Sequence, residues 1–142
     1  MLCASIIHVI LQKGSPMPTP EHMTEIVNRY MAAINAGDMH AVMDLYSDNA
    51  AVEDPAGTEP KTGADILNFY QNAFSGGAKV ELTDNIRMSA KTAAFAFRAD
   101  IGQPDGKLLT VEVIDVFEFD DAGKVEKMTA HFGPSNITMS DG

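Results

Sequence analysis

Cysteine is nearly absent from this sequence. Cys3 stands alone among 142 residues, which excludes an intrachain disulfide framework and fits a reducing, cytoplasmic setting. Positive charge is scarce too: 10 Lys and Arg face 20 Asp and Glu, for a net charge of −10. That balance speaks against nucleic acid or an anionic membrane as partner, since both demand a positive face. No apolar run is long enough to cross a bilayer, and Leu2 to Leu11 is interrupted by Ser5 and His8. A glycine fingerprint for a nucleotide is missing, because Gly76-Gly77 is an ordinary connection. The histidines at 8, 22, 40 and 131 lack ligand spacing, so neither metal nor cofactor is expected. His22 and His40 fall early in helices and are expected in solvent. There are no internal repeats, low-complexity tracts or like-charge tails.

What remains is one domain, large enough to bury a core without staples. Residues 1–16, MLCASIIHVILQKGSP, match the length of a signal-peptide core but have no basic residue before it. They are expected to be a leader or start-site artefact outside a fold at 17–142. Thr19-Pro20-Glu21 then reads as a helix start, Met23, Ile26, Val27, Tyr30, Met31 and Ile34 recur at helical spacing, and Gly37 closes the helix. Asp38 caps a second helix whose apolar side carries Val42, Met43, Leu45 and Tyr46. A short strand is expected at Ala50 to Asp54, with Val52 and Asp54 on one face, followed by a turn at Pro55 to Gly57. Thr62 is the expected cap of a third helix, Gly63 to about Phe74. The rest is β: Lys79 to Ala90, Thr92 to Ile101, a turn at 103–106, Lys107 to Asp120, a hairpin at Asp121 to Gly123, and Lys124 to Phe132. Helices followed by a meander of long strands predict an α+β fold, a curved antiparallel sheet wrapped on helices around an apolar hollow.

The informative stretch is KLLTVEVIDVFEFD at 107–120. Alternation puts Leu109, Val111, Val113, Asp115, Phe117 and Phe119 on one face, the better candidate for burial. A carboxyl in that row is costly unless it is paired, hydrogen-bonded or protonated. Tyr30 lies in the inward stripe of the first helix, and Asp54 on the apolar side of the first strand. Each has a plainer reading: packing for Tyr30, a turn for Asp54, an ion pair or another register for Asp115. If the three converge, a desolvated Asp115 keeps its proton and donates, Tyr30 donates beside it, and Asp54 stays ionised as a base. That is the equipment for removing a proton next to a carbonyl, without metal or cofactor.

From Met17 onward the chain resembles the bacterial steroid Δ5-3-ketoisomerase (ketosteroid isomerase) family. The matching residues are MPTPEHMT at 17–24, NRY at 28–30, NAGD at 35–38, VEDP at 52–55, FY at 69–70, FAF at 95–97, VIDV at 113–116 and FGPSNI at 132–137. The resemblance implies a cone-shaped half-barrel of the nuclear-transport-factor type and transposition of the double bond of a 3-oxo-Δ5-steroid into conjugation. It also implies the roles. Asp54 would carry the proton from C4 to C6, while Tyr30 and a protonated Asp115 would hold the dienolate oxygen; the neutral donating acid is a known feature of that family, not something read from the periodicity. Tyr46 and Tyr70 match tyrosines that support the catalytic phenol, Phe132 an aromatic near the base, and Phe69, Met88, Val113 and Met128 the lining for a rigid apolar ligand. Helix 3 is one residue short between Gly63 and Tyr70, which leaves the orientation of Tyr70 open. Two other classes remain: another enzyme on the same fold (polyketide cyclase, dehydratase or epoxide hydrolase), or a non-catalytic carrier of apolar ligands. The outer sheet face, with Leu108, Ile114 and Val116, is the expected homodimer surface.

Overall fold

A computed structural model describes residues 17–141, and the expectation for the leader at 1–16 lies outside them. Helix α1 spans Pro20–Ala36. The Thr19 hydroxyl accepts a hydrogen bond from the His22 N–H at 3.0 Å, Pro20 sits in the first turn where its missing donor costs nothing, and Gly37 ends the helix at φ 72°, which a Cβ would strain. Its apolar stripe, Tyr30 included, is buried.

Helix α2, Met39–Met43, is capped by Asp38, whose carboxylate accepts from the Ala41 N–H at 3.0 Å. It is shorter than the periodicity suggests. Leu45 and Tyr46 leave it because β1, Tyr46–Glu53, pairs with the later strand Val125–His131, and the Leu45 carbonyl accepts from the Val125 N–H at 2.9 Å. Sheet pairing overrides the local helical pattern here. After β2, Lys61–Thr62, comes α3, Ala64–Ala73. Thr62 is not its cap, because it is paired with Ala51 in the sheet, and Gly63 precedes the helix without a side-chain cap.

The expected strand at 79–90 is two, β3 at Ala78–Leu82 and β4 at Arg87–Ser89, lying along opposite halves of β5, Thr92–Gly102. Polar residues break it: Asp84 accepts from the Asn85 N–H and pairs with Arg87 at 3.1 Å. Strand β6, Leu108–Phe119, pairs with β5 from Thr92↔Glu118 to Gly102↔Leu108. On its other side β7, Val125–His131, covers one half, and β8, Ile137–Ser140, covers the other. The order is β2-β1-β7-β6-β5-β3, with β4 also on β5 and β8 also on β6. One pair corrects the antiparallel expectation: β1 runs parallel to β7, with Val52 opposite Met128. A pairing between strands so distant in the chain leaves no mark on local alternation.

Helices α1 and α3 lie against the inner face of this curved, mixed sheet. Val27, Val42, Val52, Phe117, Val125 and Met128 are fully buried at 0 % exposure, and each side chain of this kind contributes roughly 1.5–3 kcal/mol by leaving water. His22 is not free in solvent as expected: its Nε2 lies 2.7 Å from the Gly123 carbonyl and its ring meets Phe119 edge-on. His40 and His131 are exposed.

Asn35 closes the free edge of β3. Its side-chain carbonyl accepts from the Val80 N–H at 2.7 Å, and its amide donates to the Val80 carbonyl at 3.0 Å, as a neighbouring strand would. Asn35→Ala is expected to lower unfolding free energy by about 1–3 kcal/mol, because both backbone groups lose their partners; urea denaturation measures this, and an unchanged midpoint would contradict the edge-closing role.

Candidate active site

Asp115 stands in the middle of β6, opposite Phe95 of β5 and Ala130 of β7, and is 2 % exposed. The buried face of β6 offers it no cation. Burial therefore holds its carboxyl well above the usual range, the negative charge of Asp54 pushes the same way, and a hydrogen bond from Tyr30 offsets part of this. That environment favours the neutral, protonated carboxyl.

Tyr30 reaches it from α1, its hydroxyl donating to Asp115 Oδ2 at 3.3 Å. The ring is held edge-on by Phe117 at 5.0 Å, Phe95 at 6.0 Å and Tyr70 at 6.1 Å, so the phenol has a fixed direction. Tyr70, on α3, lies 2.9 Å from the Tyr30 hydroxyl, and Tyr46, at the start of β1, lies 2.6 Å from the Tyr70 hydroxyl. The shortened third helix thus leaves Tyr70 aimed at its partner. With Tyr30 donating to Asp115, the remaining protons run Tyr46 to Tyr70 to Tyr30, and each bond strengthens the next. Burial raises all three phenols well above their ordinary pKa, so they remain neutral donors. Asp115 Oδ1 is buried and has no partner among the described residues. It is the position from which a protonated carboxyl can serve a bound oxygen.

Asp54 follows the end of β1 and is half-buried. Burial pushes its pKa up to about 6, with Lys61 pulling it down. It is therefore mostly a carboxylate at neutral pH, yet basic enough to take a proton.

Tyr30, Asp54 and Asp115 all line one cavity of about 340 Å³. Phe69, Val113 and Phe132 line it as expected, but Met88 and Met128 do not. Met88 is on the short strand β4, 37 % exposed, with its sulfur accepting from the Thr24 hydroxyl at 3.7 Å. Met128 is 0 % exposed and fills the core between its neighbours Val52 and Phe117. The wall residues missed from the sequence are Ala73 and Phe74 at the end of α3, Phe97, Ala99 and Ile101 of β5, Leu109 and Val111 of β6, Gln103, and Ile137. The alternation of β5 and β6 already put five of them on apolar faces, whereas Gln103 and Ile137 enter from turns and an unforeseen strand. Among the described residues no group of three His, Cys, Asp or Glu side chains is placed to hold a metal ion, and no helix is long and apolar enough to cross a membrane.

The SnoaL-like domain family matches residues 27–128. The steroid Delta-isomerase of Nocardioides simplex is 31% identical over 114 residues, covering 80% of this chain and 92% of that protein. Epoxide hydrolase LasB of Streptomyces lasalocidi is 24% identical across 89% of this chain and 52% of that protein, so the chain spans about half of LasB. A solved structure of the epoxide hydrolase/cyclase-like enzyme SalBIII, which has a role in pyran ring formation in the polyether salinomycin, superposes with a TM-score of 0.73 at 26% identity, covering 80% of this chain and 92% of that one.

The raised Asp54 carboxyl has a consequence for stability. Its proton is bound more tightly in the folded state, so the stability it contributes is complete below about pH 4 and is lost as pH rises through about 6. Asp54→Asn is therefore expected to stabilise the protein at pH 7.5 by about 2 kcal/mol, allowing for solvent at the cavity mouth. Relative to the parent, the gain should vanish at pH 4. Urea unfolding at the two pH values checks this; equal gains at both would place the effect elsewhere.

Proposed function

The chain belongs to the SnoaL-like domain family, and on that footing we propose that it is a cofactor-independent isomerase that moves the β,γ double bond of a 3-oxosteroid into conjugation. The observation that carries the reading is the meeting of Tyr30 with a buried Asp115 in a cavity that Asp54 also lines. With substrate bound, the Tyr30 hydroxyl turns its proton from Asp115 Oδ2 to the 3-oxo group, which also takes a hydrogen bond from a proton on the free Oδ1 of Asp115. Asp54 removes a proton from C4, between the carbonyl and the double bond. The electrons flow onto the carbonyl oxygen, giving a dienolate whose charge the two donors meet, and Asp54 returns the proton at C6. Each donor supplies about 3–4 kcal/mol where charge develops, and the base a further factor of roughly 10²–10⁴. The Tyr46–Tyr70 chain keeps the Tyr30 proton directed forward as its acceptor gains charge.

A second reading has support from the likeness to LasB and SalBIII, whose names describe epoxide hydrolysis or cyclisation. An acid beside a phenol and a separate carboxylate also suit epoxide opening, the acid protonating the oxygen while the carboxylate activates a nucleophile. Exclusive formation of a conjugated enone from a 3-oxo-Δ5-steroid, with no opening of an epoxide panel, decides for the isomerase. A non-catalytic carrier would bind a phenolic dienolate mimic and its non-phenolic analogue about equally. The outer sheet face supports a homodimer: Ile114 is 47 % exposed and Leu108 and Val116 are half-buried.

Asp54→Asn is expected to lower kcat for enone formation by at least roughly 10²–10⁴ with little change in KM. Tyr30→Phe should cost about 10²–10³ in kcat, and Tyr70→Phe less, because Tyr70 acts through Tyr30. In the parent, kcat/KM should rise with pH through about 6 as Asp54 loses its proton. Absorbance of the conjugated product follows all of these, and Asp54→Asn turning over at the parental rate would remove the base from the mechanism. Ile114→Asp should lower the mass measured by sedimentation equilibrium toward that of the monomer, and an unchanged mass counts against this dimer surface.

A further inference from the structure

Lys61 is a cation against the cavity wall that the reaction above leaves unused. It lies on β2 directly opposite Val52 of β1. Opposed residues of an antiparallel pair share a face, and alternation carries that face on to Asp54. The Lys61 ammonium stands 4.6 Å from the centre of the Phe69 ring, and Phe69 lines the cavity together with Asp54. A cation on an aromatic face is held electrostatically while its stem packs along apolar surface. Among the described residues no ion pair engages Lys61. Its charge is therefore not cancelled by a contact partner. Its charge draws the Asp54 carboxyl down, and it forms no direct bridge that would occupy the carboxylate oxygens.

The other ionisable groups around Asp54 are acids and phenols: Asp115 from β6, Tyr30 from α1 and Tyr46 from β1. Asp65 of α3 shares the outer groove with Lys61, Asn68 and Asn72. Glu53, on the other side of β1, is engaged by Lys127 at 3.6 Å. Burial favours the uncharged form of Asp54, and the charge of Lys61 opposes it.

We propose that Lys61 is a positioning residue of this site, its ammonium held over the Phe69 ring so that Asp54 stands as a carboxylate, ready to accept a proton. The proposal rests on Asp54 as the base, but the state of Asp54 can be read without turnover. With ¹³C-labelled aspartate, the Asp54 carboxyl resonance, assigned by its loss in Asp54→Asn, is followed against pH in the parent, Lys61→Met and Lys61→Arg. Lys61→Met keeps the stem and removes the charge, and should move the Asp54 midpoint upward by about 0.5–1 pH unit. Lys61→Arg should return it close to the parental value. The acidic limb of kcat/KM should move by the same amount, with KM above the limb little altered. Lys61→Gln is measured alongside, so that one uncharged variant remains if the other fails to fold. An Asp54 midpoint that stays in place in a folded uncharged variant overturns the proposal. A midpoint that moves in a protein forming no conjugated enone upholds it and overturns the isomerase reading instead.

Discussion

The hydrogen bond between Tyr30 and Asp115, 3.3 Å long and shut away from water, joins the first helix to the middle of the longest strand. Much of the site follows from what it takes to bury that carboxyl. A charged carboxylate among Val113, Phe117 and Phe95 would cost many kcal/mol without a cation beside it, and the facing positions offer aromatic and aliphatic groups only. Burial raises the pKa of the acid and so favours its neutral form, while Oδ1 is left buried and without a partner among the described residues, on a side chain that lines the cavity.

The same low-polarity setting separates the two acids. Asp115 is enclosed by the sheet, whereas Asp54 lies past the end of β1, half-buried, with Lys61 near it. Each also acts on the other, since a charge on Asp54 makes ionisation of Asp115 harder still. Two carboxyls of one cavity thereby stand in different surroundings, one enclosed by the sheet and one nearer solvent and Lys61. The phenols extend this division. Tyr46 and Tyr70 stand behind Tyr30, which alone of the three lines the cavity, and their bonds of 2.6 and 2.9 Å orient its hydroxyl.

Strand β6 is the spine on which this is assembled. Its whole length is paired with β5, while β7 and β8 share its other edge, so Asp115 is held from both sides by the ladder. The helices supply what the sheet lacks: Tyr30 from α1, and Tyr70 with Phe69 from α3. In the proposed reaction the rigid apolar ligand would lie along Phe97, Ala99 and Val111, with its oxygen at the Tyr30–Asp115 end. An apolar wall suits such a ligand because shape and burial give affinity, leaving the few polar groups to act on the developing charge.

Much of this was legible without coordinates, for local reasons. The caps at Thr19 and Gly37, the inward stripe of α1 and the alternation of 108–119 are written in neighbouring residues, because helix and strand periods are properties of the backbone itself. They were enough to mark Tyr30, Asp54 and Asp115 as polar groups on apolar faces, and the family likeness then joined them. Other features needed the third dimension: the parallel pairing of β1 with β7, the transfer of Tyr46 from helix to strand, the loss of Met88 to the surface and Met128 to the core, and Lys61 against Phe69. Each depends on which distant segment lies alongside, and a period of two or 3.6 residues carries no record of that. The sequence by itself determined which faces are apolar and which polar groups interrupt them. Only the tertiary structure decided which of those interruptions meet, and hence which acid is the more deeply buried, because burial and charge neighbours arise from the packing of remote elements.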